Sequence, residues 1–173
     1  MTFLTGDYAL AVGDSSGKVS VWFPKRENGE FRLRQSVGWE ATGENVATLV
    51  PSPRDRAFFA VPEKGPARWL YSTTGKELAT IAVGDSPARL AAVNTRGDAL
   101  AVLRENNELR TYDLDSSYPE AGWSGFFKRL LYEGYEKAAY VWQSTGSDAS
   151  EPKLSLVPLI WGSVKGALYA LVF

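Results

Sequence analysis

The sequence has 173 residues, 45% of them hydrophobic and 23% charged, with 19 basic and 20 acidic side chains and a formal net charge of −1. Such a composition supports the core of about one domain plus an appendage, and scattered Lys and Arg without a basic excess give no electrostatic reason to expect nucleic acid or an anionic surface as partner. Neither Cys nor His occurs, which removes disulfides, thiolate metal sites, cysteine nucleophiles, the Ser-His-Asp triad, and the commonest general base and metal ligand.

The chain starts "MTFLTGDYAL", where Asp7 interrupts any apolar run of signal-peptide length and no basic region precedes it, so this start is not expected to act as a secretory signal. From Tyr8 the stretch "YALAVGDSSGKVSVW" reads as a short apolar strand, a polar turn and a second strand with Val19, Val21 and Phe23 alternating, which is a β-hairpin. Its turn, "GDSSGKVS" at Gly13 to Ser20, has three residues between the glycines where a nucleotide-phosphate loop needs four, and it joins strand to strand instead of strand to helix. It is read as a turn.

Candidate strands follow at Phe31 to Gln35 and Val46 to Val50, and then "AFFAVPEKGPARWLY" from Ala57 repeats the hairpin. In "TTGKE", Thr73 to Glu77, Gly75 supplies a turn residue of positive φ. Two more candidate strands, Glu77 to Val83 and Ala88 to Val93, lead to a third hairpin, "DALAVLRENNELRTY" from Asp98. The three hairpins align without gaps. Each carries Ala-Val at one place (Ala11-Val12, Ala60-Val61, Ala101-Val102), and an aromatic residue follows the Ala by 11 positions: Trp22, Tyr71 and Tyr112.

Four strands per repeat and spacings of 49 and 41 residues between successive alanines match the ~40–50 residues of a WD40-like or kelch-like propeller blade. The expected fold is therefore mainly β, a partial WD40-like β-propeller of about 2.5 four-stranded blades. A ten-strand sandwich or barrel with fortuitous self-similarity is the competing reading. The acidic pairs Asp113 with Asp115 and Glu105 with Glu108 fall at strand edges and turn tips without calcium-loop spacing, and the six Trp and eight Tyr fall mostly at strand positions where they fill space between sheets. No catalytic, cofactor-binding or metal-binding residue is singled out, and the chain is not expected to be an enzyme.

After Asp115 the strand pattern stops. "WSGFFKRLLYEGY", Trp123 to Tyr135, places Phe126, Phe127, Leu130 and Leu131 on one side of a helix and predicts a short amphipathic helix. A polar linker, Gln143 to Lys153, leads into a run from Leu154 to Phe173 in which Lys165 is the one charged residue. With the helix starting near Leu159 because of Pro158, 15 residues remain, about 22 Å at ~1.5 Å each, against the ~30 Å of a bilayer core. The run is either a buried core helix or the first half of a longer membrane helix. Gly162 and Gly166 form a G-x-x-x-G, a pattern frequent by chance. The segments expected are thus 1–115 as propeller repeats, 116–153 as amphipathic helix and linker, and 154–173 as the start of a truncated transmembrane helix.

The stretch from Tyr132 to Phe173, with "YEGY", "YVWQS", "EPKLSLVPL" and "GSVKG", resembles the segment leading into the second transmembrane helix of PstC-type permease subunits of bacterial phosphate ABC transporters in their long proteobacterial form. "SVWFP", Ser20 to Pro24, is similar to part of the large insert between that family's first two membrane helices. The resemblance covers about the last 40 residues strongly and the β-repeats loosely. It implies an accessory, non-catalytic insert facing the periplasm at the bacterial inner membrane. Partners would be membrane lipid, through residues 154–173, with the second permease subunit, the ATPase subunit and the periplasmic phosphate-binding protein. The family's other membrane helices, its phosphate pathway and its ATPase-contacting loop have no counterpart here, so no functional residue carries over. The alternative, from another class, is a soluble propeller-type interaction module whose terminal helix packs on its own core.

Overall fold

A computed structural model describes residues 1–27, 30–115, 118–146 and 151–172. The chain divides into two compact units, Met1–Pro119 and Glu120–Phe173.

Unit 1 is three successive antiparallel sheets. The first holds β1 (Thr2–Phe3), β2 (Leu10–Gly13), β3 (Val19–Glu27) and β4 (Glu30–Trp39) in that order. The second holds β5 (Val46–Pro51), β6 (Ala57–Pro62), β7 (Ala67–Tyr71) and β8 (Glu77–Ile81), and the third holds β9 (Ala88–Val93), β10 (Ala99–Arg104) and β11 (Leu109–Asp113). The first strands of the sheets touch one another, β1 against β5 and β5 against β9. This is two four-stranded blades followed by a three-stranded one. Two-residue β1 is the strand that sequence patterning does not reveal.

Packing between sheets follows from strand alternation, since successive side chains point to opposite faces. Ala9, Ala11, Val19, Val21 and Trp39 leave the first sheet buried on the side toward the second, where Trp39 meets Phe58 edge-on at 5.7 Å. Phe59, Val61, Trp69 and Tyr71 leave the other side of the second sheet and form one cluster with Leu100 and Val102 of the third. Phe59 stacks on Trp69 at 5.3 Å. All six residues of β6 are buried, because this strand lies inside the sheet that has another sheet on each side.

The three Ala-Val pairs occupy the second strand of each sheet, and Trp22, Tyr71 and Tyr112 the third, as the repeat predicts. The register within the middle sheet differs. Ala11 pairs with Val21 and Ala101 with Thr111, ten residues on in both, but Ala60 pairs with Arg68, eight residues on, and the residue that pairs ten on is Phe59, with Trp69. Phe59 is therefore the register equivalent of Ala11 and Ala101, and a shift of one residue turns Ala60 to the opposite face.

Two turns anchor the hairpins. Gly17 has φ of +83°, and a Cβ there would sit 2.1 Å from Thr42 Oγ1, so only glycine lets the β2–β3 turn lie against the β4–β5 loop. Gly75 has φ of +70°, the positive value its turn requires.

Unit 2 differs from the helix-and-linker expectation. The helix is α1 (Trp123–Phe127), five residues long, and Lys128 is already extended. Leu130 and Ala139 exchange backbone hydrogen bonds of 3.2 and 3.0 Å, which draws Leu130 into a bridge and buries it. One turn of helix is marginal by itself, so the tertiary bridge prevails over the periodicity. The ends of the supposed linker pair as β12 (Trp142–Gln143) and β13 (Lys153–Leu154), while its residues 147–150 lie outside the described residues. Finally α2 (Val157–Val172) begins two residues before the expected start, with Pro158 tolerated in the first turn because its missing N–H has no helical partner there; Phe173 lies outside the described residues.

Phe59→Ala is expected to destabilise unit 1 by about 3–5 kcal/mol, the usual cost of emptying a buried aromatic site. Urea unfolding followed by tryptophan fluorescence checks this, and a loss below about 1 kcal/mol would contradict the packing described.

Candidate functional site

The turns and crossovers at one rim of unit 1 enclose a groove of about 470 Å³ lined by Glu40, Thr42, Lys64, Arg68, Glu77 and Thr80 among others. The β7–β8 hairpin supplies its floor. Arg68 donates from Nε and Nη2 to Glu77 Oε2 at 3.1 and 2.9 Å and from Nη1 to the Glu40 carbonyl at 3.2 Å, while Thr80 Oγ1 donates to Glu77 Oε1 at 2.7 Å. The β2–β3 turn closes in beside the β4–β5 loop through hydrogen bonds from Gly43 N to Ser16 O and from Val46 N to Asp14 O. The walls are thus pinned by turn geometry, and the charges by one another.

One carboxylate of the groove, Glu77, is held ionised, and so are Asp14 and Glu108 outside it. Burial pushes Glu77 up, but the Thr80 hydroxyl and the Arg68 guanidinium outweigh it and leave its pKa below the usual 4.5. The Ser16 hydroxyl holds Asp14 below the ordinary aspartate range against the opposing effect of desolvation, helped by the amides of Ser16 and Lys18. Glu108 is lowered chiefly by its 2.6 Å contact with Arg110. A carboxyl acting as general acid near neutrality needs the opposite displacement. These three are hydrogen-bond acceptors, and Glu77 alone of them lines the groove.

The residues weighed on sequence grounds fall elsewhere. Asp14 organises the "GDSSGKVS" turn by accepting from Ser16 N, Ser16 Oγ and Lys18 N at 2.7–3.0 Å. Asp113 stands in β11 opposite Ala99, with Asp115 beyond the strand, and the groove contains neither. Glu105 and Glu108 lie in the β10–β11 turn, also outside it. No group of three or more Asp or Glu placed to hold a metal ion occurs among the described residues.

Three buried cations were not foreseen, Arg56, Arg104 and Lys153. Arg104 is 1% exposed at the end of β10, its Nη1 donating to the Ser86 carbonyl, and its Nε and Nη2 have no hydrogen-bond acceptor among the described residues. Its guanidinium packs against Gly84, where a Cβ would lie 3.0 Å from Cζ. No dissolved ligand reaches it in this conformation. In unit 2, Lys153 is 7% exposed, donates to Gln143 Oε1 at 3.0 Å and stands 5.5 Å from the Tyr132 ring centre. Burial, with the Glu151 charge adding to it, pushes the Tyr132 phenol up to about 12. The segments "YEGY", "YVWQS" and "EPKLSLVPL" therefore meet: Tyr132 faces Lys153, Trp142 pairs with Leu154, and Ser155 N donates to Val141 O at 3.0 Å.

The groove itself went unnoticed in the sequence because its residues come from two separate loops and a hairpin. Its one legible signal was the opposite charge of Arg68 and Glu77, and a bulge at Trp69/Leu70 displaces their pairing from simple counting.

No protein-family model and no curated protein matches the sequence. Among solved structures the chain is similar to the β-propeller domain of Cps50 (Swd1) from Myceliophteria thermophila, with a TM-score of 0.57, 7% identity, and coverage of 66% of this chain and 39% of that one. The chain spans about two fifths of that domain's length. The likeness concerns the fold, which is mainly β and propeller-like.

Glu77 binds its proton more weakly folded than unfolded, so its contribution to stability is present above pH 4.5 and is lost as the pH falls through the folded value. Glu77→Gln should flatten the fall in stability between about pH 5 and pH 3, measured by denaturation at each pH. An unchanged slope would show that the Arg68–Glu77–Thr80 cluster is not formed in solution.

Proposed function

We propose that this chain is the accessory, non-catalytic periplasmic insert of the membrane permease subunit of a bacterial phosphate ABC importer, reaching into the start of that subunit's next membrane helix. The observation that carries the membrane part is α2. Its 16 residues, about 24 Å at ~1.5 Å each, include no buried residue, and Leu159, Trp161, Leu168, Tyr169 and Leu171 are 43–84% exposed around its circumference. A helix apolar all round needs lipid or protein on every side. No helix among the described residues is long and apolar enough to cross a membrane, so α2 stands in this reading for the beginning of a span.

Lys165 is compatible with that environment, since its ammonium lies 5.7 Å from the Trp161 ring centre and its stem is apolar. The phosphate-transport part rests on the resemblance of the segments gathered in unit 2. The soluble-module alternative needs α2 to pack on its own core; within unit 2 no residue of α2 is buried, and Pro158 to Val172 are exposed there. On the proposed reading the groove and blades contact the transporter's other subunits or its binding protein, and ATP is hydrolysed elsewhere.

Vesicle flotation tests the membrane part. The whole chain should float with phosphatidylethanolamine–phosphatidylglycerol vesicles, and a chain ending at Ser155 should stay behind with its β-sheet circular dichroism unchanged. Loss of the β signal in the shortened chain would instead place α2 in a soluble core. Deleting the encoding segment in the organism that carries it should lower uptake of labelled phosphate under phosphate limitation; flotation with unchanged uptake would retain the anchor and end the phosphate reading.

A further inference from the structure

Alternation along β10 turns Leu100, Val102 and Arg104 toward the second sheet, and all three are buried, Arg104 at 1% exposure. A guanidinium cannot shed its charge there. The β8–β9 connection covers it: Nη1 donates to the Ser86 carbonyl, and a Cβ built on Gly84 would lie 3.0 Å from Cζ, 3.1 Å from Nη2 and 3.3 Å from Nε. Gly84 has φ of +92°, and Val83 beside it is 1% exposed.

That leaves the fork formed by Nε and Nη2. Neither nitrogen has an acceptor among the described residues, and no ion pair of those residues includes Arg104. The charge of Arg104 is felt at Glu108, but the oxygens of Glu108 are engaged elsewhere, Oε1 by Arg110 Nε at 2.6 Å and Oε2 by Asn106 Nδ2 at 3.4 Å. Asp85, next to Gly84, is exposed. A buried cation with two unpaired donors is costly to a fold, so an acceptor at this fork stabilises it more than the same contact would at the surface. Nε and Nη2 lie side by side in one plane, the edge of arginine that matches the two oxygens of a carboxylate. Arg68 turns the same two nitrogens on Glu77 Oε2.

We propose that the Nε–Nη2 edge of Arg104 is a binding site for one small carboxylate anion, of the size of formate, held beneath the β8–β9 connection. The size follows from the surroundings, since Val83, Ala88 and Val102 belong to the apolar cluster beside the guanidinium and a bulkier acid would have to displace them. Entry requires residues 83–86 to lift. Backbone bonds from Ala88 N to Glu63 O and from Glu105 N to Pro87 O, both 3.0 Å, hold the far end of the connection, and Gly84 with its positive φ is the pivot. Once bound, the anion neutralises the buried charge and occupies both donors. The site belongs to unit 1 and does not rest on the transport reading.

Urea unfolding of the 173-residue chain in mild detergent, with sodium formate exchanged for sodium chloride at constant ionic strength, tests the site. The gain in stability should saturate, and at formate ten times its dissociation constant the unfolding equilibrium constant should fall about elevenfold. Arg104→Lys keeps the charge, loses the fork and should weaken formate binding at least about tenfold. The carbon-13 resonance of labelled formate reads the site in the native protein with no substitution: it should broaden when protein is added and sharpen again when nitrate, also planar, competes. If Arg104→Lys does not fold, that broadening and its reversal decide the matter alone. A gain that rises linearly with formate and equally in both proteins is a general salt effect and would overturn the proposal, as would a formate resonance that the native protein leaves sharp.

Discussion

Everything in unit 1 depends on one constraint: a β-sheet with two apolar faces must be covered on both. The middle sheet meets it. β6 is buried along its whole length, and Phe58 and Phe59, neighbours in sequence, serve opposite interfaces, the first against Trp39 and the second against Trp69 and the third sheet. Van der Waals contact and exclusion of water across these interfaces supply the drive for folding, since no disulfide is available and the charged pairs at the rim are partly exposed. The loops that build the groove are consequences. Their positions follow from where the strands must end for the sheets to lie face to face.

The same constraint explains what the sequence revealed and what it concealed. Strand existence was legible because Gly and Pro punctuate short apolar runs; Ala88 to Val93 matches β9 at both ends. Register in the middle sheet was not legible. A strand buried on one face shows alternation, whereas "AFFAVP" is buried on both and carries no period from which its faces could be assigned. The shared Ala-Val pair therefore aligned the strands correctly and their faces wrongly by one residue. The groove was invisible for a different reason, since its charged residues meet only after one connection between sheets, a hairpin turn and a bulge have set their positions.

In unit 2 local pattern yields to tertiary pairing. The Trp123 to Tyr135 stretch has helical spacing, yet its helix stops at Phe127 and Leu156 N donates to the Phe126 carbonyl at 2.9 Å, filling an acceptor left open at the helix end. Ser155 Oγ reaches the same carbonyl at 3.3 Å. The chain entering α2 is thereby tied to α1 by backbone, and Lys153, one residue before Leu154, is held by Gln143 and the Tyr132 ring. The motif residues that carry the family resemblance are the ones that fix how α2 begins.

Unit 1 and α2 both present exposed apolar surface, and the two surfaces differ in their polar groups. On the third sheet the apolar row gives way to Thr111 and Asp113 on the same side, and the edge strand β11 ends in charge; a polar rim around an apolar centre is how protein contacts are built, and it is costly to bury in hydrocarbon. α2 has no such rim. From Leu159 to Val172 its polar side chains are Ser163, whose hydroxyl donates back to the Leu159 carbonyl at 3.0 Å, Lys165 beside Trp161, and Tyr169. A hydroxyl that satisfies itself on its own helix and a lysine whose stem is apolar are both admissible in lipid. Gly162 and Gly166 leave a smooth stripe on the helix with no atom within 4 Å of a built Cβ, which permits a close neighbour without requiring one. The sheet faces are therefore apolar at the centre and polar at the rim, whereas α2 is apolar around its circumference with its few polar groups satisfied on the helix itself.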